Sequence, residues 1–251
     1  MMIAAIAGRE LKSLFLSPLA WTILAVVMFI LGWIFLVQVD SFSVWQTRLA
    51  SVPNGPGVTD VVVAPMLGDA GVVMMLVAPM ITMRLLSEER RARTLGLLFS
   101  APVSMTEIVL GKYLGVLAFF LIMLALIAIM PFSLLVGTSL DMGKLAAGLL
   151  ALTLLLATFA AAGLFMSSLT EQPTVAAVST FGMLLLLWIV DWAGAGRPDV
   201  GGVLSYMSLS HHYQALLKGL VSSTDIVYFL LVITTFLVLS IRRLDRDRLP
   251  H

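Results

Sequence analysis

The chain has 251 residues, 60% of them apolar and 12% charged, with a net charge of +1 and a mean hydropathy of +1.06. A soluble domain holds about twice that charged fraction, so these figures describe an all-α integral membrane protein, and a net charge near zero provides no basic field to recruit nucleic acid. No cysteine is present, which excludes disulfides, thiolate metal centres and cysteine nucleophiles.

In chain order, residues 3–17 set Ile3, Ile6, Leu14 and Phe15 against Arg9, Glu10 and Lys12, the pattern of a helix lying at the membrane interface. Those charges, and the lack of a small-x-small site after the first apolar run, argue against a signal peptide. Ser17-Pro18 ends the helix, and the first span is expected over 19–39, about 31 Å as helix and close to the hydrocarbon thickness. Asp40 to Asp69 reads as a polar loop around Pro53, Asn54, Gly55, Pro56 and Gly57. The second span is expected over 63–86, with its core from Gly71 and a kink at Pro79.

The third span is expected over 108–136, broken near its far end by Pro131, and Asp141 to Lys144 forms a short turn. The fourth, over 145–166, is rich in small residues (Ala157, Ala160, Ala161, Ala162, Gly163) that let helices approach closely. Ser167 to Pro173 is a polar turn, and the fifth span follows over 174–192. Residues 193–224 read as irregular but apolar for a loop, so that parts dip back into the membrane against protein. The sixth span is expected over 225–241, with Arg242, Arg243, Arg246 and Arg248 after it. This arrangement puts eleven Lys and Arg on one side and only Arg48, Lys144, Arg197 and Lys218 on the other, which orients both termini to the cytoplasm. The chain reads as one membrane domain over 1–251.

The densest charge lies between the second and third spans. Ser87-Glu88-Glu89-Arg90-Arg91-Ala92-Arg93-Thr94 leads into Leu95-Gly96-Leu97-Leu98-Phe99 and closes on Gly111-Lys112. A short surface helix fits: Ser87 as its cap, Glu88 and Glu89 in the first turn where the helix dipole favours acids, Glu89 paired with Arg93 at four residues, and Pro102 as its stop. Charge at one end and apolar residues at the other suit docking into a partner's groove. An ordinary basic loop that only fixes topology fits the composition equally well.

The spans hold almost no ionisable groups, Asp191 being the one acid near a span end, which argues against a proton- or sodium-coupled carrier. No P-loop is present: Tyr113 follows Gly111-Lys112, and Thr106 stands where the first glycine would be, so the chain should not hydrolyse ATP alone. His211-His212 lacks zinc-motif spacing and reads as an interfacial polar pair. Met74, Met75, Met80 and Met83 read as gap fillers rather than a copper relay. Gly111 and Gly115 allow close packing, within the chain or to a second copy.

Ala78-Pro79-Met80-Ile81-Thr82-Met83-Arg84, Glu88-Glu89-Arg90, Thr94-Leu95, Leu97-Leu98, Ala101-Pro102-Val103-Ser104 and Gly111-Lys112 together resemble the signature of type-2 ATP-binding-cassette (ABC) export permeases, most nearly the gliding-motility (Gld) and nitrous-oxide-reductase maturation (Nos) group. Glu10-Leu11 with Phe15-Leu16-Ser17-Pro18-Leu19, Gly163 to Glu171, and Leu209 to Arg243 extend the resemblance over essentially the whole chain. It implies six spans in the cytoplasmic (inner) membrane of a bacterium, an interfacial helix over Ile3–Phe15, a coupling helix over Ser87–Phe99 and external re-entrant elements within 193–224. It further implies a second permease copy, identical or related, and a dimer of cytoplasmic ABC ATPase subunits that bind the ATP; the chain itself needs no cofactor and is no enzyme. A periplasmic or membrane-anchored accessory protein is compatible with it. Glu88, Glu89, Arg90, Arg91 and Arg93 are expected to orient the coupling helix on the ATPase, and Leu95, Leu97, Leu98 and Phe99 to anchor it. The sequence departs from the pattern at Gly96, commonly a glutamate, and at Ala92-Arg93, usually a small residue followed by glycine. The expected function is that of an exporter permease. The alternative is a mechanotransmission subunit that moves an extracytoplasmic partner and transports nothing.

Overall fold

The structure is a computed structural model that describes residues 2–50, 57–92, 104–194 and 198–248. Every regular element among them is helical, and six helices are long and apolar enough to cross a membrane. Helix α1, Met2–Leu16, ends at the Ser17 bend, and Pro18 opens α2, Pro18–Ala50, where its missing N–H costs nothing. Helix α2 is about 50 Å long and continues well past the expected boundary at Val39. The Asp40–Asp69 loop is thereby corrected: its first third is helix, and a π-helical turn at Thr59–Val63 leads straight into α3, Ala64–Thr82. Polarity misled here, because Asp40, Ser41 and Ser43 sit on a helix rising beyond the apolar layer, and both serine hydroxyls donate back to carbonyls of α2.

Pro79 lies inside α3, which runs on to Thr82 before Met83–Leu86 turn the chain into the short α4, Ser87–Arg91. Helix α5, Met105–Ser133, is held at its start by a capping box in which the Ser104 hydroxyl accepts from the Glu107 amide while the Glu107 carboxylate accepts from the Ser104 amide. Pro131 does not break α5; the helix reaches Ser133 and tightens into a 3-10 turn at Leu134–Val136. Asp141 caps α6, Met142–Leu169, accepting from Gly143 and Lys144, so the expected Asp141–Lys144 turn is mostly first helical turn. Ser167 and Ser168, expected in a turn, are the last turn of α6.

Pro173 opens α7, Pro173–Ile189, which passes into a 3-10 turn at Val190–Gly194. The irregular stretch expected over 193–224 is corrected: it contains α8, Pro198–Met207, and α9, Leu209–Leu217, before α10, Ser223–Arg248. Its glycines misled; the described part of this stretch needs a left-handed conformation only at Gly219, with φ of 81°.

Helix α6 is the axis of the bundle. Of its apolar window 72% is buried, against 17% for α7, which therefore lies at the periphery. The small residues of α6 explain its place. Ala157, Ala160, Ala161 and Ala162 are buried, and a Cβ on Gly163 would lie 2.1 Å from the Thr82 hydroxyl of α3. Gly148 meets Leu67 of α3 in the same way, and Gly71 of α3 receives the ring of Tyr213 from α9. Helix α10 packs along α6 on another side, and α1 lies along the first half of α5.

Candidate functional site

The site is α4 and its surroundings. Five residues make a marginal helix on their own, so α4 is held from outside. Its first turn is capped by α6: the Ser167 hydroxyl accepts from the amides of both Leu86 and Ser87 at 3.0 Å and donates to the Met83 carbonyl at 2.9 Å. Ser87 itself, expected as the cap, lies inside the helix, is fully buried, and donates its hydroxyl to the Met83 carbonyl. The cap role thus falls to Ser167, 80 residues further along the chain.

The charges divide into two sets. Glu89 turns inward to Lys112 of α5 at 2.8 Å, and Lys112 also holds Glu10 of α1 at 3.2 Å; its side chain is 3% exposed. Arg9, largely in solvent, stands 3.9 Å from Glu89. Arg90 pairs with Asp247 near the end of α10, and Arg243 approaches the same carboxylate at 3.8 Å. Glu88 and Arg91 instead face outward, with Arg84, into a cleft of about 930 Å³ whose opposite wall is Glu171, Pro173 and Thr174 at the start of α7.

Of the nine residues singled out from the sequence, this brings Glu88 and Arg91 to the open cleft. Glu89 and Arg90 make ion pairs within the chain. The pairing partner expected for Glu89, Arg93, lies outside the described residues, as do Leu95, Leu97, Leu98, Phe99 and the Pro102 stop. The sequence reading missed Ser167, Lys112, Glu10 and Asp247. Lys112 alone left a signal: a lysine on an otherwise apolar helix face, beside Gly111.

Gly111 and Gly115 serve packing within the chain. A Cβ on Gly111 would come within 2.7 Å of Ile6, and one on Gly115 within 2.9 Å of the Ala7 carbonyl, so α1 lies directly on the α5 backbone.

Two further polar groups lie toward the other end of the bundle, where Lys144 pairs with Asp60. Asp69, within the second spanning helix, accepts from the Gln38 amide at 3.0 Å, so Asp191 is not the one acid near a span. Buried His212 bonds through Nδ1 to Asp225 at 2.6 Å and through Nε2 to the Tyr206 carbonyl at 2.9 Å, and it stacks on Tyr228 with centroids 4.1 Å apart. A carbonyl only accepts, so Nε2 carries a proton. Both ring nitrogens are engaged by protein groups, while His211 beside it is exposed. Tyr213 donates to the Leu67 carbonyl, and burial, with the Asp69 carboxylate as the lesser cause, pushes its phenol far up. Met74 and Met75 fill the core while Met80 points outward, so the methionines do not converge. Among the described residues no group of three or more His, Asp or Glu is placed to hold a metal ion.

The arrangement is a clamped helix with one charged face presented at a cleft. A search of curated proteins found no match. The family described as ABC-2 family transporter protein matches residues 4–249, nearly the entire chain. With six helices able to span a membrane, the chain belongs to the ABC-2 transporter family and is a multi-pass membrane permease component of an ABC transporter, the kind of subunit that works with an ABC ATPase.

Proposed function

We infer that the chain is the membrane subunit of an ABC exporter in which a separate ATPase docks on the stretch beginning with α4 and drives the bundle through it. The observation that carries this reading is the divided charge of α4: Glu89 and Arg90 fasten it to the chain's own helices while Glu88 and Arg91 stand free at a large cleft. A loop that served topology alone needs no such cap and clamp. The gathering of Arg9, Lys112, Arg90 and Arg243 at one end supports, by the positive-inside rule, a chain in the bacterial cytoplasmic membrane with both termini on the cytoplasmic side. A second permease copy, identical or related, completes the core; the outward apolar faces of α7 and α2 are available to it. The export permeases of the gliding-motility and nitrous-oxide-reductase maturation group are the subgroup proposed. ATP stays on the partner subunit, and the chain hydrolyses none.

The closely packed interior around α6 favours a second reading, mechanotransmission to an extracytoplasmic partner, because its buried faces are mostly apolar and small side chains. Stimulation of ATP hydrolysis by a transported compound in a reconstituted complex favours export over this reading.

The test is retention of a co-expressed ABC ATPase by the tagged chain at low and high salt. Phe99→Ala or Leu98→Ala should weaken association by about 1–2 kcal/mol, as apolar anchors do. Arg91→Ala should be milder and act mainly through the salt dependence. Wild-type retention by both apolar variants would move docking to the charged turn alone, and retention insensitive to every one of these changes would overturn the reading.

A further inference from the structure

The geometry points to Lys112 as the positioning residue that yokes α1 to the docking segment, its one ammonium group holding Glu10 of α1 and Glu89 of α4 together so that motion delivered to α4 reaches α1. The functional sense of this rests on α4 being the docking segment; the mechanical link does not.

Helix α4 packs chiefly on α6 and α7 and shares little direct packing with α1 or α5. What joins it to that side of the bundle is charge. Lys112 Nζ lies 2.8 Å from Glu89 and 3.2 Å from Glu10, and the lysine side chain is 3% exposed. An ammonium group so enclosed needs both carboxylates, because water cannot replace them. The other charged link between α1 and α4, Arg9 to Glu89, is 3.9 Å long with the arginine 68% exposed, and an exposed pair of that length holds little. Removing Lys112 would therefore take away the one ammonium group that Glu10 and Glu89 share.

The other half of the yoke is steric. At Gly111 and Gly115 the backbone of α1 lies against α5 with no room for a Cβ, so α1 cannot slide to find another partner for Glu10. Lysine stands between these two glycines because the contact that brings α1 close also shields the ammonium. A lysine that merely fills a buried space would need one acid. This one takes an acid from each of two separate elements.

The chain contains no cysteine, so an introduced pair is unique. Ser13 of α1 and Glu88 of α4 are both exposed. Spin labels at Ser13→Cys and Glu88→Cys, in the full chain in nanodiscs and diluted with unlabelled chain, report the α1–α4 distance distribution. A reference pair at the exposed positions Thr106→Cys and Glu171→Cys reports whether the bundle is intact. We expect one narrow distribution with Lys112 present, loss of that narrow peak in Lys112→Met with the reference pair unchanged, and its recovery in Lys112→Arg. Glu10→Gln leaves the Lys112–Glu89 pair in place and should broaden the α1–α4 distance alone; it decides the matter should Lys112→Met disturb the reference pair. An unchanged narrow distribution in Lys112→Met, or in Glu10→Gln where that arm decides, overturns the proposal. No ATPase is present in this measurement, so a failure of docking leaves its outcome untouched.

Discussion

Replacing Ser167 by alanine should unfasten α4 without touching its sequence. The hydroxyl makes three bonds, to the amides of Leu86 and Ser87 and to the carbonyl of Met83, and Ser167, Leu86 and Ser87 are all fully buried. Loss of a helix N-cap costs about 0.5–2 kcal/mol, and a buried donor left without a partner costs about 1–3 kcal/mol. Water reaches none of these groups freely, so the upper part of the first range applies, about 2 kcal/mol on the local opening of α4, which corresponds to a roughly thirtyfold rise in its open population. The enclosed pairs of Glu89 and Arg90 still tether the segment and hold the effect near that figure.

The assay is amide hydrogen exchange in nanodiscs. Protection over Ser87–Ala92 should fall by on the order of tenfold or more in Ser167→Ala, while amides in the middle of α6 keep theirs. Ser168→Ala is the neighbouring control, since that hydroxyl bonds only back to Phe165 of its own helix and should leave α4 unchanged. Ser167→Thr retains the hydroxyl and should lie between. Exchange in Ser167→Ala that matches wild type would refute the reasoning, because it would show that α4 is held by its ion pairs alone.

Gly163→Ala should destabilise the bundle by about 1–3 kcal/mol, the usual result of overpacking, since the added carbon would meet the Thr82 side chain at 2.1–2.9 Å; Gly182→Ala on α7, with nothing within 4 Å, should be neutral or slightly stabilising, and thermal unfolding in detergent compares them. Asp225→Ala leaves buried His212 Nδ1 without its hydrogen-bond partner, at a cost of roughly 1–3 kcal/mol, whereas exposed His211→Ala should lie within the scatter of surface changes, about ±0.5 kcal/mol; the same unfolding measurement checks both.

The long apolar runs were legible because hydropathy alone determines where a helix can cross a membrane, and each expected span overlaps one of the six helices found. Their ends were not. Serine and aspartate near a helix end look like loop when counted by polarity, yet Ser41 and Ser43 satisfy their hydroxyls on their own helix and Asp141 caps the next. Proline was over-read at Pro131, where the helix continues to Ser133. At the site, local spacing could place Glu88 and Glu89 in a first turn, and it did. It could not find Lys112 or Ser167, because their partners are brought to them by α1 and α4 folding back from elsewhere in the chain, and no period within one segment encodes that meeting.

Among the described residues, four helices are tied to α4 through three polar links: α6 through a hydroxyl cap, α5 and α1 through one shared ammonium group, and α10 through Asp247. A displacement of α4 therefore loads all four at once, and the stiffest path is the one through Ser167. That residue ends the most buried helix of the bundle, and α6 in turn packs on α3, α5, α7, α9 and α10. Bonds from a fully buried hydroxyl to backbone amides are screened by neither salt nor water, whereas the more exposed Arg90–Asp247 pair is open to both. In the docking role proposed for α4, the hydroxyl at its root would carry load to the bundle's centre while Glu88 and Arg91 at the cleft meet the partner's surface.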